Sequence, residues 1–230
     1  MGELKSPSMP RRPRFAAGGH LFHVLNRAVG RQTIFAGEGD YIAFERLLAE
    51  TDERFPLRLL AYVVMPNHWH LVVWPVGDAD LSAAIQWLTL THTSRWHTAH
   101  ETVGTGPIYQ GRFKSFPMQS DEHFYTVVRY VERNPLRANL VERAEAWRYS
   151  SLWQWSNERA DVPLDAWPLP RPCDWLERVN AVQTEAELAA LRTCVTRGVP
   201  FGHSAWRRAT ALQLGLPATR GHRGRPPRLG

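Results

Sequence analysis

Two histidines, and a tyrosine and an asparagine much later in the chain, are the residues whose types and spacing could build one reaction centre. His68 and His70 stand two positions apart within residues 61–75, the most apolar and β-branched run of the sequence. Side chains alternate between the faces of a strand, so the two imidazoles project together while Trp69 and Leu71 face the other way. Neutral imidazole is a common ligand for divalent metals, and a strand fixes two of them without ordering a loop. The same spacing also suits two half-exposed polar positions, so the pair alone is half a site.

Residues 121–134 supply candidates for the other half. They read as a helix closed by Pro135, with acidic residues in the first turn and arginines in the last, as the helix dipole favours. Phe124, Val127, Val128 and Val131 follow the i, i+3, i+4, i+7 pattern of a buried stripe. At about 100° per residue, His123, Tyr130 and Asn134 fall on one flank of that stripe and Tyr125 on the other. The amide oxygen of Asn134 is a hard, neutral donor that would complete a metal site with His68 and His70 and leave positions open for phosphate and water. The hydroxyl of Tyr130, one turn away, could attack a metal-polarised phosphodiester and form a covalent phosphotyrosine. Each residue also has a plainer reading, Tyr130 as a cover at the edge of the stripe and Asn134 as a helix C-cap.

The elements that must position these groups can be followed along the chain. Residues 20–26 alternate as a strand, and 41–48 carry apolar residues at helical spacing with Asp40 able to cap. A second strand spans 57–64, Pro66 and Asn67 make a turn, and a third strand over 68–74 runs back antiparallel to it. Residues 81–96 read as a helix, and a fourth strand lies around 113–118. The order is β-α-β-β-α-β, an α+β, ferredoxin-like arrangement with an antiparallel sheet. Such a fold hosts many functions, so the site must carry the argument.

At this point the residues resemble a known family. Residues 65–71 (Met-Pro-Asn-His-Trp-His-Leu), 111–115 (Gly-Arg-Phe-Lys-Ser) and 130–138 (Tyr-Val-Glu-Arg-Asn-Pro-Leu-Arg-Ala) are similar to motifs of the REP-associated tyrosine transposases, part of the HUH single-tyrosine nuclease group. The resemblance extends over roughly residues 11 to 156. It implies a ferredoxin-like core that cleaves single-stranded DNA beside hairpin-forming repeats, leaving a 5′ phosphate on tyrosine and a free 3′ hydroxyl, with Mg²⁺ or Mn²⁺ as cofactor. His68 and His70 match the family's histidine pair, Tyr130 its nucleophile and Asn134 its third metal ligand, whereas Tyr125 matches no catalytic position. A non-catalytic, sequence-specific DNA-binding regulator on the same fold is the alternative. The intact set of four residues favours the enzyme.

Charge agrees with an anionic partner. The chain of 230 residues has 28 Lys+Arg against 22 Asp+Glu, a net charge of +6, and Lys5 and Lys114 are its lysines. Arginine suits bidentate phosphate contact. Arg112 and Lys114 beside the fourth strand, and Arg129, Arg133 and Arg137 around the tyrosine, are the expected DNA contacts. Cys173 and Cys194 fit neither a zinc motif nor a disulfide framework, which points to a reducing compartment. With no apolar run long enough for a membrane span, the expectation is a cytoplasmic protein, a monomer or homodimer, that binds single-stranded or hairpin DNA.

The expected organisation is a basic arm over 1–17, a catalytic domain over 18–156, a proline-rich linker over 157–173 and a mainly helical, basic extension over 174–230. Thr184 to Glu187 is a capping box opening a helix to about Gly198, residues 199–202 read as a turn, and 204–214 as a second helix, a helix-turn-helix-like pair. From Leu188 to the end there are eight arginines and no acidic residue. Arg223 and Arg225, in a Gly-Arg-Pro setting, resemble an AT-hook that lays arginines into a narrow minor groove.

Overall fold

The computed structural model describes residues 17–216. β1 (Leu21–Arg27), β2 (Leu57–Met65), β3 (His68–Pro75) and β4 (Lys114–Met118) form one antiparallel sheet in the order β2-β3-β1-β4. α1 (Glu38–Arg54) joins β1 to β2 and α2 (Asp80–Ala99) joins β3 to β4, which gives the expected ferredoxin-like order. Phe22, Val24, Trp69, Leu71 and Val73 turn one face of the sheet toward Phe44, Leu47, Ile85 and Leu88 of these helices. α3 (Glu122–Glu132) covers the opposite face, seating Phe124, Val127, Val128 and Val131 against Val63, Val72 and Phe116.

Local boundaries differ from the sequence expectations for identifiable reasons. α1 begins at Glu38 rather than after Asp40, and the Asp40 carboxylate reaches back from inside the first turn to accept the N–H groups of Ala36 (2.9 Å) and Gly37 (3.2 Å). The helix expected to continue through Asn134 ends at Glu132. Pro135 lacks the N–H that would continue the ladder, so Asn134 opens a separate turn, α4 (Asn134–Arg137), across the near-helical Arg133. β4 starts one residue later than expected.

An antiparallel sheet needs its edge strands covered, and the later part of the chain does this twice. On β2, the Val64 N–H donates to the Tyr149 carbonyl (2.9 Å), and the indoles of Trp147 and Trp167 donate to the carbonyls of Val64 and Leu60 (each 2.8 Å). α5 (Ser151–Ser156) follows, and residues 157–173 stay packed rather than spanning open space: the Asp165 N–H donates to the Leu59 carbonyl (2.8 Å), and Val162 is fully buried. The segment read as a linker is therefore a cover for the sheet. On β4, Phe201 donates to the Pro117 carbonyl and accepts from the Gln119 N–H (each 2.9 Å), so the expected turn over 199–202 is a parallel strand-edge contact.

α6 (Trp175–Asn180) and α7 (Glu185–Arg197) are equally part of the core, while α8 (Ser204–Gln213) closes the described chain. Trp175, Leu188, Leu191 and Cys194 join the layer beneath α3. The buried carboxylate of Glu132 accepts both the Ser151 hydroxyl and the Trp175 indole N–H (each 2.8 Å), tying α3, α5 and α6 together. Burial pushes its pKa up. Among the described residues no helix is long and apolar enough to cross a membrane.

Two predictions follow from this packing. Trp175→Ala should destabilise the protein by about 3–5 kcal/mol in a single urea transition; a loss below about 1 kcal/mol, or a separate transition, would make the C-terminal helices an independent appendage. Behind β3, the Trp69 indole donates to the Tyr109 hydroxyl (2.9 Å), whose oxygen lies 2.6 Å from Nδ1 of His92. Burial lowers the pKa of His92 to about 3. The unfolded chain takes up a proton near pH 6.5 that this folded site refuses, so stability should fall as pH drops from about 6.5 toward 3. Urea midpoints at pH 7 and pH 5 check this, and equal midpoints would contradict it.

Candidate active site

Register brings the site together. β1 pairs with β3 so that Leu25 faces His70 and Arg27 faces His68, while Phe116 of β4 faces His23. Cross-strand partners share a face, so His23, Arg27, His68 and His70 all project toward α3. The rings of His68 and His70 have centroids 5.0 Å apart, and Tyr130 stands edge-on to His70 at 5.8 Å and to His23 at 6.1 Å. His68, His70 and Tyr130 are buried to within a tenth of their surface.

The imidazoles are held neutral and oriented. Asn67 donates its amide N–H to the Arg31 carbonyl (3.1 Å), which turns its oxygen toward Nδ1 of His68 (2.6 Å). Nδ1 of His68 therefore carries the proton and Nε2 the lone pair. Nδ1 of His70 lies 2.8 Å from Nε2 of His23, an imidazole with no exposed surface. Burial lowers the pKa of His23 and of His68 to about 3, and it lowers that of His70 well below the usual value. For His68 the cations Arg27 and Arg137 add to the effect; for His70 the neighbouring His23 and His68 come first, then Arg137 and Arg27. Neutral rings are the form that binds a metal.

Asn134 and Arg137 close the arrangement. Arg137 donates to Oδ1 of Asn134 (3.0 Å) and lays its guanidinium over the Tyr130 ring at 4.4 Å. The Asn134 amide nitrogen is buried without a partner, as are one N–H group of Arg137 and Nε of Arg27. Arg27 and Arg137 border a cleft of about 990 Å³ that Arg31, Arg112, Lys114 and Arg192 also line, with Tyr130 at its wall and no carboxylate among the described residues of its lining.

Of the residues expected from sequence, His68, His70 and Tyr130 thus meet on one buried face, and Asn134 joins them through Arg137. Arg112, Lys114 and Arg137 line the cleft. Arg129 and Arg133 do not: Arg129 donates to the carbonyls of Ala181 and Val182 (2.7 and 3.1 Å), and Arg133 to those of Val179 (2.9 Å) and Asn180. They bind the C-terminal end of α6, where carbonyls lack helical partners and favour cations. Arg223 and Arg225 lie outside the described residues. Tyr125 donates its hydroxyl to the Pro170 carbonyl (2.6 Å) and packs on Trp167 and Trp175, a structural role.

His23, Arg27 and Arg31 were missed as site residues. An alternating strand over 20–26 was legible, but its placement beside β3 was not. His123, expected on the flank of Tyr130, sits about 10 Å away along the α3 axis, at the helix N-terminus. There it forms a separate group with Asp121, Glu122 and His203 whose ligand atoms lie within 4.8 Å of one another.

Comparison with known proteins bears on the family and the fold. A protein of Haemophilus influenzae assigned to the REP-associated tyrosine transposases is 24% identical over 137 residues, covering 56% of this chain and 77% of its own. The solved structure of a REP-associated tyrosine transposase bound to a REP hairpin superposes with a TM-score of 0.53 at 21% identity, covering 69% of this chain and 91% of that one. The family model for IS200-like transposases matches residues 17–134, just over half the chain and the whole span from β1 to Asn134. The chain belongs to the IS200-like transposase family.

Proposed function

We propose that this transposase is a metal-dependent endonuclease and strand-transferase that cuts single-stranded DNA beside a hairpin-forming repeat through a phosphotyrosine at Tyr130. The observation that carries this reading is the contact of Tyr130 with His70 on the buried face that also holds His68, at the wall of a cleft lined by cations. Single-stranded DNA fits that cleft because phosphodiesters are met by arginines, and the two buried, unpartnered donors of Arg27 and Arg137 are suited to the non-bridging oxygens. The REP hairpin held by the structural relative supports a hairpin as the neighbouring element.

The residues fit a divalent metal. Among the described residues neither His68 nor His70 has a protein partner on Nε2, both rings are neutral, and the Asn134 amide oxygen, which accepts from Arg137, has a second lone pair to offer. His68, His70 and Asn134 would hold Mg²⁺ or Mn²⁺, and the bound ion would act as a Lewis acid on the scissile phosphate. The chain's own residues do the rest. Tyr130 oxygen attacks phosphorus, the bond from phosphorus to the 3′ oxygen breaks, and the 5′ phosphate remains on the tyrosine. The phenol loses one proton and the departing 3′ oxygen gains one, with solvent in the open cleft carrying it. Arg137, stacked over the ring, orients the phenol and sets a positive charge beside the negative charge that develops at phosphorus. Attack of a 3′ hydroxyl on the phosphotyrosine is the reverse step, which rejoins strands.

Incubation with Mn²⁺ and an end-labelled hairpin oligonucleotide carrying single-stranded flanks should give a covalent adduct on a denaturing gel, and Tyr130→Phe should abolish it. An adduct persisting in the variant would reject Tyr130 as nucleophile; binding without any adduct would leave a DNA-binding regulator. We assign His23 as a positioning residue: with the Nδ1 proton of His70 directed at its Nε2, 2.8 Å away, His70 would present Nε2 as the ligand atom. Removing such a partner costs about 10–100-fold in metal affinity. His23→Leu should therefore weaken Mn²⁺ binding by that factor in an EPR titration, and an unchanged dissociation constant would remove His23 from the account.

A further inference from the structure

The cleft beside Tyr130 has a wall that the family match does not include. Arg192, Val195 and Thr196 of α7 line it together with Arg31, Arg112 and Lys114, although the match to IS200-like transposases ends at residue 134. These three positions are spaced i, i+3, i+4 and so form one helix face. The adjoining face, Leu188, Leu191 and Cys194, is buried in the core under α3. Behind α7, Gly198 lies within van der Waals reach of the Ser115 carbonyl of β4, and Phe201 pairs with the β4 edge. The face toward the cleft is thus held rigidly against the strand that carries Lys114.

Arg192 is free to act on a ligand. Its partner is Glu185 at 3.7 Å, and both side chains are mostly exposed, at 56% and 87%, so this pair contributes little. Thr196 offers an exposed hydroxyl one turn on, and half-buried Val195 offers an apolar surface between them. A guanidinium, a hydroxyl and an apolar patch along one wall of a cation-lined cleft match the alternation of phosphate, sugar and base in an extended single strand.

We propose that α7 is the second wall of the strand-binding cleft and that Arg192 contacts a backbone phosphate of the single strand leading to Tyr130; this rests on the reading of the cleft as the single-stranded DNA site. The C-terminal helices then act within the catalytic cleft itself, beyond any separate DNA-binding role of the tail.

Fluorescence anisotropy of full-length protein with a hairpin bearing a labelled single-stranded flank tests this across a salt series. Arg192→Ala should weaken binding about twofold to fivefold, the size expected of one partly exposed charged contact. It should also flatten the dependence of log Kd on log salt by roughly 0.7, the value for one phosphate on a single strand. Arg192→Lys should restore the slope, and the thermal midpoint should not move because the side chain is exposed. Wild-type affinity and slope in Arg192→Ala, with binding weakened in Arg112→Ala, would overturn the α7 proposal and spare the cleft. Wild-type behaviour in both variants would overturn the α7 proposal together with the reading of the cleft.

Discussion

Three imidazoles buried side by side under one amphipathic helix are the constraint on which this molecule depends. Polar rings out of water are costly unless each finds a partner and stays uncharged. Here His68 is turned by Asn67 and His70 is backed by His23 on the neighbouring strand, while Nδ1 of His23 stays buried without a partner and bears that cost. The pairing of β1 with β3 makes this possible, since Leu25 opposite His70 sets His23 one step along the same face. A slip of one residue would send His23 to the other side of the sheet and leave His70 without its partner. Trp69, fixed from behind by Tyr109 and His92, holds the strand against such a slip.

Positive charge in this chain divides into two uses. Arg129 and Arg133 satisfy the carbonyls that end α6 and so dock the C-terminal helices against α3. Arg27 and Arg137 keep buried N–H groups without partners at the cleft. The first pair docks helices, whereas the second lines the cleft, where it can meet a ligand. Arg137 is central because it joins Asn134 to Tyr130 through one guanidinium, so the proposed nucleophile and the proposed third ligand move as a unit.

Much of this was legible in the sequence, and what was not has a common cause. Strand alternation gave the shared direction of His68 and His70, and helical angle gave Tyr130 over Tyr125, because both periodicities are local. His23 and Arg27 were hidden because they depend on which strands are neighbours. Arg129 and Arg133 look like DNA contacts in a basic helix until α6 is placed beneath them. Residues 157–173 read as a linker because proline-rich composition says nothing of Asp165 and Trp167 bonding to the edge of β2. Asn134 lay outside the expected single helix because Pro135 breaks the ladder, yet the near-helical Arg133 keeps the spacing from Tyr130 that the angle argument used.

Anomalous diffraction from crystals grown with Mn²⁺ would test most directly whether the sheet and the helix form one metal centre. The account predicts a peak bounded by His68, His70 and Asn134, with Arg137 displaced from or sharing the Asn134 oxygen. A fully occupied peak at Asp121, His123 and His203, with none between β3 and α4, would contradict it.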